Sequence, residues 1–350
     1  MQEQTLEFYY FLIAPVCFML FTWIYIKVAH YFKIYDHPVG RSSHLNRTIT
    51  GFGIFVLFGL LVYSIAFPYT LKSFFIIGLM MIATISFIDD IVFVKHFIRL
   101  IFQVFALTLM AIELPFTFVS MDKWPLVIAI VILGVGVLNA FNFMDGINGM
   151  LGLNSLVILL SFLWLNYHIV DVHGQPVKFV RDEFLYTMII GVSIFLSLNL
   201  RRKAIVFAGD TGSIALAFII FYLMLNLIFT TNNYAYLLLF SVIGIDAGLT
   251  VIFKLLLREN IFVPHRDFLF KKLVHVGKQK HVKISMIYAA VQVQVSVIVI
   301  ALPLQGRLSA QLSILFIMAV SLCAIYIYTR NKYTKQRVIR TREKESDNGE

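Results

Sequence analysis

Long apolar runs divided by short polar segments recur along the whole chain. Runs near residues 8–30, 52–68, 70–88, 98–113, 124–141, 151–168, 184–199, 212–229, 234–257, 284–303 and 308–329 approach the roughly 20 residues that cross a hydrocarbon core of about 30 Å. Leu, Ile, Phe and Met dominate them, and the in-and-out alternation of a barrel strand is missing, so they predict helices. The expected class is all-α: a polytopic integral membrane protein with about eleven transmembrane helices. Composition agrees, since 60% of the 350 residues are apolar and only 14% charged, too greasy a balance for a soluble domain.

Residues 1–330 read as one transmembrane domain and 331–350 as a basic tail, solvated or lying on headgroups. No internal repeat, linker or second soluble domain interrupts the pattern. The first span follows MQEQTLE, which has no Lys or Arg, so it lacks the basic start of a cleavable signal peptide and is expected to be retained. Cys17 and Cys323 sit inside apolar spans and read as small hydrophobes, with no disulfide or metal site expected.

Eleven spans put the two termini on opposite sides, and the loops can then be tallied for Lys and Arg. One side carries 22 of the 29; the other carries Lys72, Lys123, Lys178, Arg181 and Arg307, while Lys27 and Lys254 fall inside spans. The positive-inside rule makes the first side cytoplasmic and places the N-terminus outside and the C-terminus in the cytoplasm.

A carboxylate near lipid is costly unless it has a partner or a purpose, so the acids at span ends are informative. Asp89 and Asp90 end the third span (SFIDD), Asp145 follows the fifth (NFMDGING), Asp210 precedes the eighth (FAGDTGS) and Asp246 lies within the ninth (GIDAGLT). The first four fall at cytoplasmic ends, which suggests one site at one water–lipid boundary. Each also has an ordinary reading. Asp89 and Asp90 would serve to stop a helix at the headgroups, although two adjacent carboxylates repel unless a cation or proton neutralises them. Asp210 would serve as a helix cap, although glycines flanking an aspartate before a helix also make a loop suited to anions and a hard cation.

Asn139, Asn142 and Asp145 recur at every third position, which aligns them on one helical face, and Gly146 and Gly149 let the backbone approach a ligand closely. Asp246 falls within a G-x-x-x-G pattern (Gly244, Gly248), which ordinary helix packing also explains and which leaves a homodimer open. Two basic loops complete the inventory. One, DHPVGRSSHLNRTITGFG, holds Arg41, His44 and Arg47; the other, RENIFVPHRDFLFKKLVHVGKQKHVK, holds His265, Arg266, Lys271 and Lys272 and matches no zinc spacing. Positive-inside charge accounts for the lysines, while Arg266 offers a rigid fork for phosphate.

Taken together, IDD, N-x-x-N-x-x-D-G-I-N-G, F-A-G-D-T-G-S and P-H-R-D, in that order, resemble the polyprenyl-phosphate N-acetylhexosamine-1-phosphate transferases, the MraY/WecA-like glycosyltransferase family 4. The resemblance runs from about Asp36 to His281. DHP-x-x-RSSH and RENIF-x-PHR are closest to the branch that initiates O-antigen or capsule repeat units. It implies a catalytic domain over 1–330 that transfers N-acetylhexosamine 1-phosphate from a UDP-sugar to undecaprenyl phosphate, releasing UMP, at the cytoplasmic face of a bacterial inner membrane. The implied partners are those two substrates and the lipid bilayer, with no nucleic acid.

The resemblance also implies roles. Asp210 would bind Mg²⁺, with Mn²⁺ as a substitute. Asp89 would deprotonate or position the lipid phosphate, supported by Asp90, and Phe207 would stack on uracil. Asn142, Asp145, Gly146 and Asn148 would lie near the nucleotide, and His265 and Arg266 would contact the diphosphate or sugar. Arg47, Asn139 and Asp246 would serve the lipid phosphate or act as accessories. The chain departs from the family in three places: Asn148 stands where Asp is frequent, TGFG at 50–53 lacks the usual proline and one glycine, and Phe268 and Phe270 occupy a neighbourhood where histidines are common. Rival readings are an ion-coupled transporter, whose acids would sit near the midplane of repeated halves, and an inactive relative acting as a scaffold. A CDP-alcohol phosphotransferase is disfavoured because its D-G-x-x-A-R spacing is absent.

Overall fold

The computed structural model describes residues 2–36, 48–92, 94–114, 124–170, 175–259, 268–302 and 307–347, with side chains described up to Thr334. Helices account for nearly all of it: α1 (Gln2–Phe32), α2 (Phe55–Ala66), α3 (Ser73–Ile91), α4 (His96–Ile112), α5 (Trp124–Met144), α6 (Met150–His168), α7 (Asp182–Asn199), α8 (Gly209–Thr231), α9 (Ser241–Leu256), α10 (Leu269–His275), α11 (His281–Ala301) and α12 (Leu308–Asp347). Short 3₁₀ turns at Phe52–Ile54 and Tyr234–Phe240 lead into α2 and α9.

Every expected span falls on a helix. Among the described residues nine helical segments are long and apolar enough to cross a membrane; the segments Phe52–Ala66 and His96–Ile112 are apolar but shorter. The chain is an all-α polytopic membrane protein. Its outer surface says the same: Phe8, Leu12, Trp23, Ile65, Ile132, Phe316 and Ile325 are all exposed, a distribution that only a hydrocarbon surround makes favourable. The long loop after α9 holds one element the apolar pattern did not predict, the short helix α10. The helix α12 extends into the basic tail, to Asp347.

The bundle is organised around α8. Every residue from Thr211 to Leu225 is buried, and α2, α3, α5 and α6 all pack on this helix. Phe75 of α3 stacks on Tyr222 at 4.2 Å between ring centroids and on Phe218 at 5.8 Å. Small residues permit the close approach that membrane helices need. A Cβ on Gly78 would lie 2.9 Å from the Ala106 carbonyl, and one on Gly134 would lie 2.7 Å from the Leu107 side chain.

A backbone ladder fixes the start of α8. Strand β1 (Tyr35–Asp36) pairs antiparallel with β2 (Thr48–Ile49), and β2 bridges in parallel to Val206. The Phe207 N–H donates to the Ile49 carbonyl at 2.7 Å, the Phe52 N–H to the Phe207 carbonyl at 3.1 Å, and the Gly53 N–H to the Ala208 carbonyl at 3.0 Å. TGFG and FAGD therefore lie side by side. A Cβ on Gly53 would run into the Gly212 backbone and the Ala208 carbonyl, so the glycine of the first segment is required by the second.

Gly53→Ala should accordingly lower stability by about 1–3 kcal/mol through overpacking, whereas Gly136→Ala, where a Cβ meets nothing within 4 Å, should be neutral. Thermal unfolding of the two variants in the same detergent measures the difference.

Candidate functional site

The first four turns of α8 are so enclosed that the free N–H groups at its start must find acceptors within the protein. Asp90, in the last turn of α3, supplies them. Its carboxylate accepts from the Asp210 N–H at 2.9 Å, the Thr211 N–H at 3.1 Å and the Thr211 hydroxyl at 2.7 Å. Asp145, one residue beyond α5, accepts from the Gly209 N–H at 3.1 Å. Gly209 takes φ +72°, and a Cβ there would lie 2.8 Å from the Asp90 carboxylate, so this position needs glycine twice over. Asn142 is one turn back on α5, where its side-chain oxygen accepts from the Ser213 hydroxyl at 3.3 Å.

Arg99, in the first turn of α4, ties the remaining acids together. One nitrogen of its guanidinium pairs with Asp89, whose other oxygen accepts from the Val94 N–H at 2.8 Å; the second nitrogen pairs with Asp210 at 2.9 Å. A planar fork is suited to holding two carboxylates at once. Asp89, Asp90, Asp145 and Asp210, from three separate sequence segments, thus converge on one end of the bundle. Asp210 keeps 27% of its side chain exposed, against 9% for Asp89. It is the more accessible of the two.

The other expected residues divide. Gly146 adjoins this end, and a Cβ on it would lie 2.8 Å from Cε of Lys271, which reaches in from α10. Phe207 is half-buried with its backbone locked in the ladder beside β2. Asn148 is buried and turned away: its amide donates to the Arg201 carbonyl at 2.7 Å and its carbonyl accepts from Ser285 at 2.8 Å. Asn139 donates to Gln103 of α4 at 3.0 Å, so only Asn142 and Asp145 of the aligned trio face α8. Gly149, with φ +83°, caps α6 and packs on Leu200 instead of opening space for a ligand. Arg47, His265 and Arg266 lie outside the described residues.

Asp246 stands apart. It is 4% exposed and accepts from the Leu269 N–H at 2.9 Å, the Phe270 N–H at 3.3 Å and the Tyr288 hydroxyl at 2.7 Å. Its carboxylate anchors the start of α10.

Sequence reasoning missed Arg99, counting it only as a positive-inside charge. Its signal was its place in the turn after Asp89 and Asp90, where two repelling acids need a cation. Thr211 was missed as well, hidden as an ordinary residue of a helix start.

Among the described residues no group of three or more His, Cys, Asp and Glu side chains is disposed to hold a metal ion. A cation that keeps most of its waters and takes one or two carboxylates together with substrate phosphates, as Mg²⁺ does, needs no such cage. Asp210, partly exposed and shared with Arg99, fits that requirement.

A bundle of apolar helices that draws four aspartates and an arginine to one end is a membrane protein with a built polar site. Residues 73–228, from the start of α3 to near the end of α8, match the model of Glycosyl transferase family 4, which supports that family for the segment carrying all four aspartates and Arg99. No curated protein matches the chain.

The two capping aspartates should be separable. Asp90→Ala should cost about 2 kcal/mol or more, by stranding buried donors, and speed hydrogen exchange at the Asp210 and Thr211 amides. Asp246→Ala should instead speed exchange at the Leu269 and Phe270 amides and leave Thr211 protected. Exchange mass spectrometry resolving both segments checks the pair.

Proposed function

We propose that the chain transfers N-acetylhexosamine 1-phosphate from a UDP-sugar to a polyprenyl phosphate, undecaprenyl phosphate in a bacterial inner membrane, at the cytoplasmic face, and that the product starts a surface polysaccharide such as O-antigen or capsule. The observation that carries this reading is the convergence of Asp89, Asp90, Asp145 and Asp210 with Arg99 at one end of α8, within the segment matching the glycosyltransferase family.

The chemistry suits such a place. A lipid phosphate arrives along the membrane boundary and a nucleotide from water; one lipid phosphate oxygen forms a bond to the sugar-bearing phosphorus, the diphosphate bridge breaks, and UMP leaves. Phosphoryl transfer of this kind asks mainly for alignment and charge neutralisation. Asp210 would hold Mg²⁺, or Mn²⁺ in its place, which would supply charge neutralisation on the diphosphate. Asp89 acts as a positioning group, since Arg99 and the Val94 N–H already engage its two oxygens. It fixes the orientation of the Arg99 fork, whose other nitrogen pairs with Asp210. Asp90 holds the start of α8 in place, and with it Asp210. Asp145 and Gly146 form the wall where the nucleotide lies, with Lys271 beside them, and Phe207 offers a half-exposed ring for the base. His265, Arg266 and Arg47 are proposed for phosphate contacts on their chemistry alone.

Purified protein given undecaprenyl phosphate, Mg²⁺ and a panel of UDP-N-acetylhexosamines should release UMP only when lipid is present, and from a subset of the sugars. Asp210→Asn should lower that rate about 100-fold or more, the scale of removing a charge-stabilising group from a transition state, with its melting temperature near that of the parent. A folded Asp210→Asn protein that turns over normally would refute the metal role. Lipid-independent or absent UMP release across the panel would refute the transferase.

A further inference from the structure

The end of the bundle opposite the aspartates holds a second polar feature, a cavity of about 360 Å³ lined by Glu7, Tyr167, Lys178, Arg181, Asp182 and Tyr186, with Phe11 and Glu183 completing the wall. Asn199, at the far end of α7, serves the aspartate end through its bond to the Gly149 N–H, so the 18 residues of α7 separate the two features by about 27 Å. That is most of a membrane's hydrocarbon thickness.

The cavity is built rigidly. Asn166 of α6, 1% exposed, donates to the Val180 carbonyl at 2.8 Å and to Asp182 at 2.6 Å and accepts from the Phe179 N–H at 3.0 Å, which pins the segment entering α7. Arg181 pairs with the buried Glu183 at 3.1 Å, lies 3.6 Å from Glu7, and stacks on the Phe67 ring. Phe11 and Tyr186 meet edge to face at 4.7 Å. Lys178 pairs with Asp182 at 2.5 Å, has its Nζ 5.1 Å above the Tyr167 ring, and remains 54% exposed.

Charge decides what fits. Three carboxylates against two cations disfavour a purely anionic occupant. A purely cationic one would leave Lys178 and Arg181 facing it. The accessible charges are Lys178, Arg181 and Glu7; Arg181 lies within ion-pair reach of Glu7, so cation and carboxylate sit side by side in the cavity, and Lys178 is the most exposed of the lining cations. Phe8, Leu12, Trp164 and Tyr167, on the same ends of α1 and α6 that line the cavity, are exposed, an apolar and aromatic surface of the kind that lies at headgroup level in a membrane.

We infer that this cavity binds the headgroup of a zwitterionic phospholipid bearing a primary amine, with the phosphate at Lys178 and Arg181 and the ammonium at Glu7 and the aromatic faces. Its volume lies within the range of about 300–1,000 Å³ usual for small-molecule sites. The site is separate from the proposed transferase centre and does not depend on that reading.

The test is native mass spectrometry of the detergent-purified chain titrated with dioleoyl-phosphatidylethanolamine, dioleoyl-phosphatidylglycerol or dioleoyl-phosphatidylcholine. The ethanolamine lipid should bind about tenfold tighter than the glycerol lipid, the factor corresponding to one charge-assisted contact, and tighter than choline lipid, whose methylated amine cannot donate to Glu7. Glu7→Gln should erase the preference for ethanolamine over glycerol lipid, and Lys178→Gln should weaken both. Equal binding of the lipids by the parent, a preference for ethanolamine lipid that survives Glu7→Gln, or unweakened binding of both lipids in Lys178→Gln overturns the inference. Equal displacement by free glycerophosphoethanolamine overturns a lipid as the occupant.

Discussion

A helix buried along its whole first half cannot leave its opening N–H groups to water, and the protein's answer to that constraint arranges everything around it. Asp90 and Asp145 reach across from α3 and α5 to take the Gly209, Asp210 and Thr211 amides. An aspartate two residues from a helix start is usually read as a local cap; here the caps come from 64 and more than 100 positions away in sequence. The bonds that complete α8 are therefore the bonds that gather the acids. Stability and site geometry cannot be varied independently at these positions, because the donors left behind would lie in a medium where an unpaired polar group is costly.

That coupling explains the place of Arg99. Once Asp90 is committed to the amides, Asp89 and Asp210 are left close together in a partly buried setting where like charges repel. A guanidinium between them relieves the repulsion without a metal, and its two nitrogens keep the carboxylates in register. A cation arriving at Asp210 then meets a carboxylate already aimed but already shared. The proposed binding of a divalent ion at Asp210 would draw on a carboxylate that Arg99 already shares.

Much of this was legible in the chain. The apolar runs gave the helices because hydrocarbon forces backbone groups to bond within each segment, so length and composition decide. The acids were legible because a carboxylate at the end of an apolar span is costly unless it has a partner. What could not be read were directions. Asn139, Asn142 and Asp145 share a helical face, yet Asn139 turns to Gln103 because α4 passes beside it. Asn148 sits in the same motif but faces Arg201 and Ser285, since the chain turns sharply at Gly149. Asp246 had the composition of a site residue and proved to be an anchor, because the short helix it caps lies 23 residues downstream in a loop with no apolar period of its own.

The departures in that loop acquire a physical sense from the same anchor. Phe268 and Phe270 are each 2% exposed; Phe268 packs on Phe143 at 4.8 Å and stacks with Phe270 at 5.5 Å, and Phe270 meets Tyr288, whose hydroxyl bonds to Asp246. Aromatic rings placed there hold α10 against α5 and α11 by packing, and the carboxylate of Asp246 fixes the start of α10. The result sets Lys271 against the glycine that follows Asp145, where a Cβ would lie 2.8 Å from its Cε and push the lysine's end aside. The cation beside Asp145 and Gly146, the wall proposed for a nucleotide, is thereby delivered by a short helix bolted to the bundle. Differences in what such a site accepts would then arise from α10 and its flanks, outside the segment that matches the family, while the carboxylate cluster inside that segment stays tied to the burial of α8.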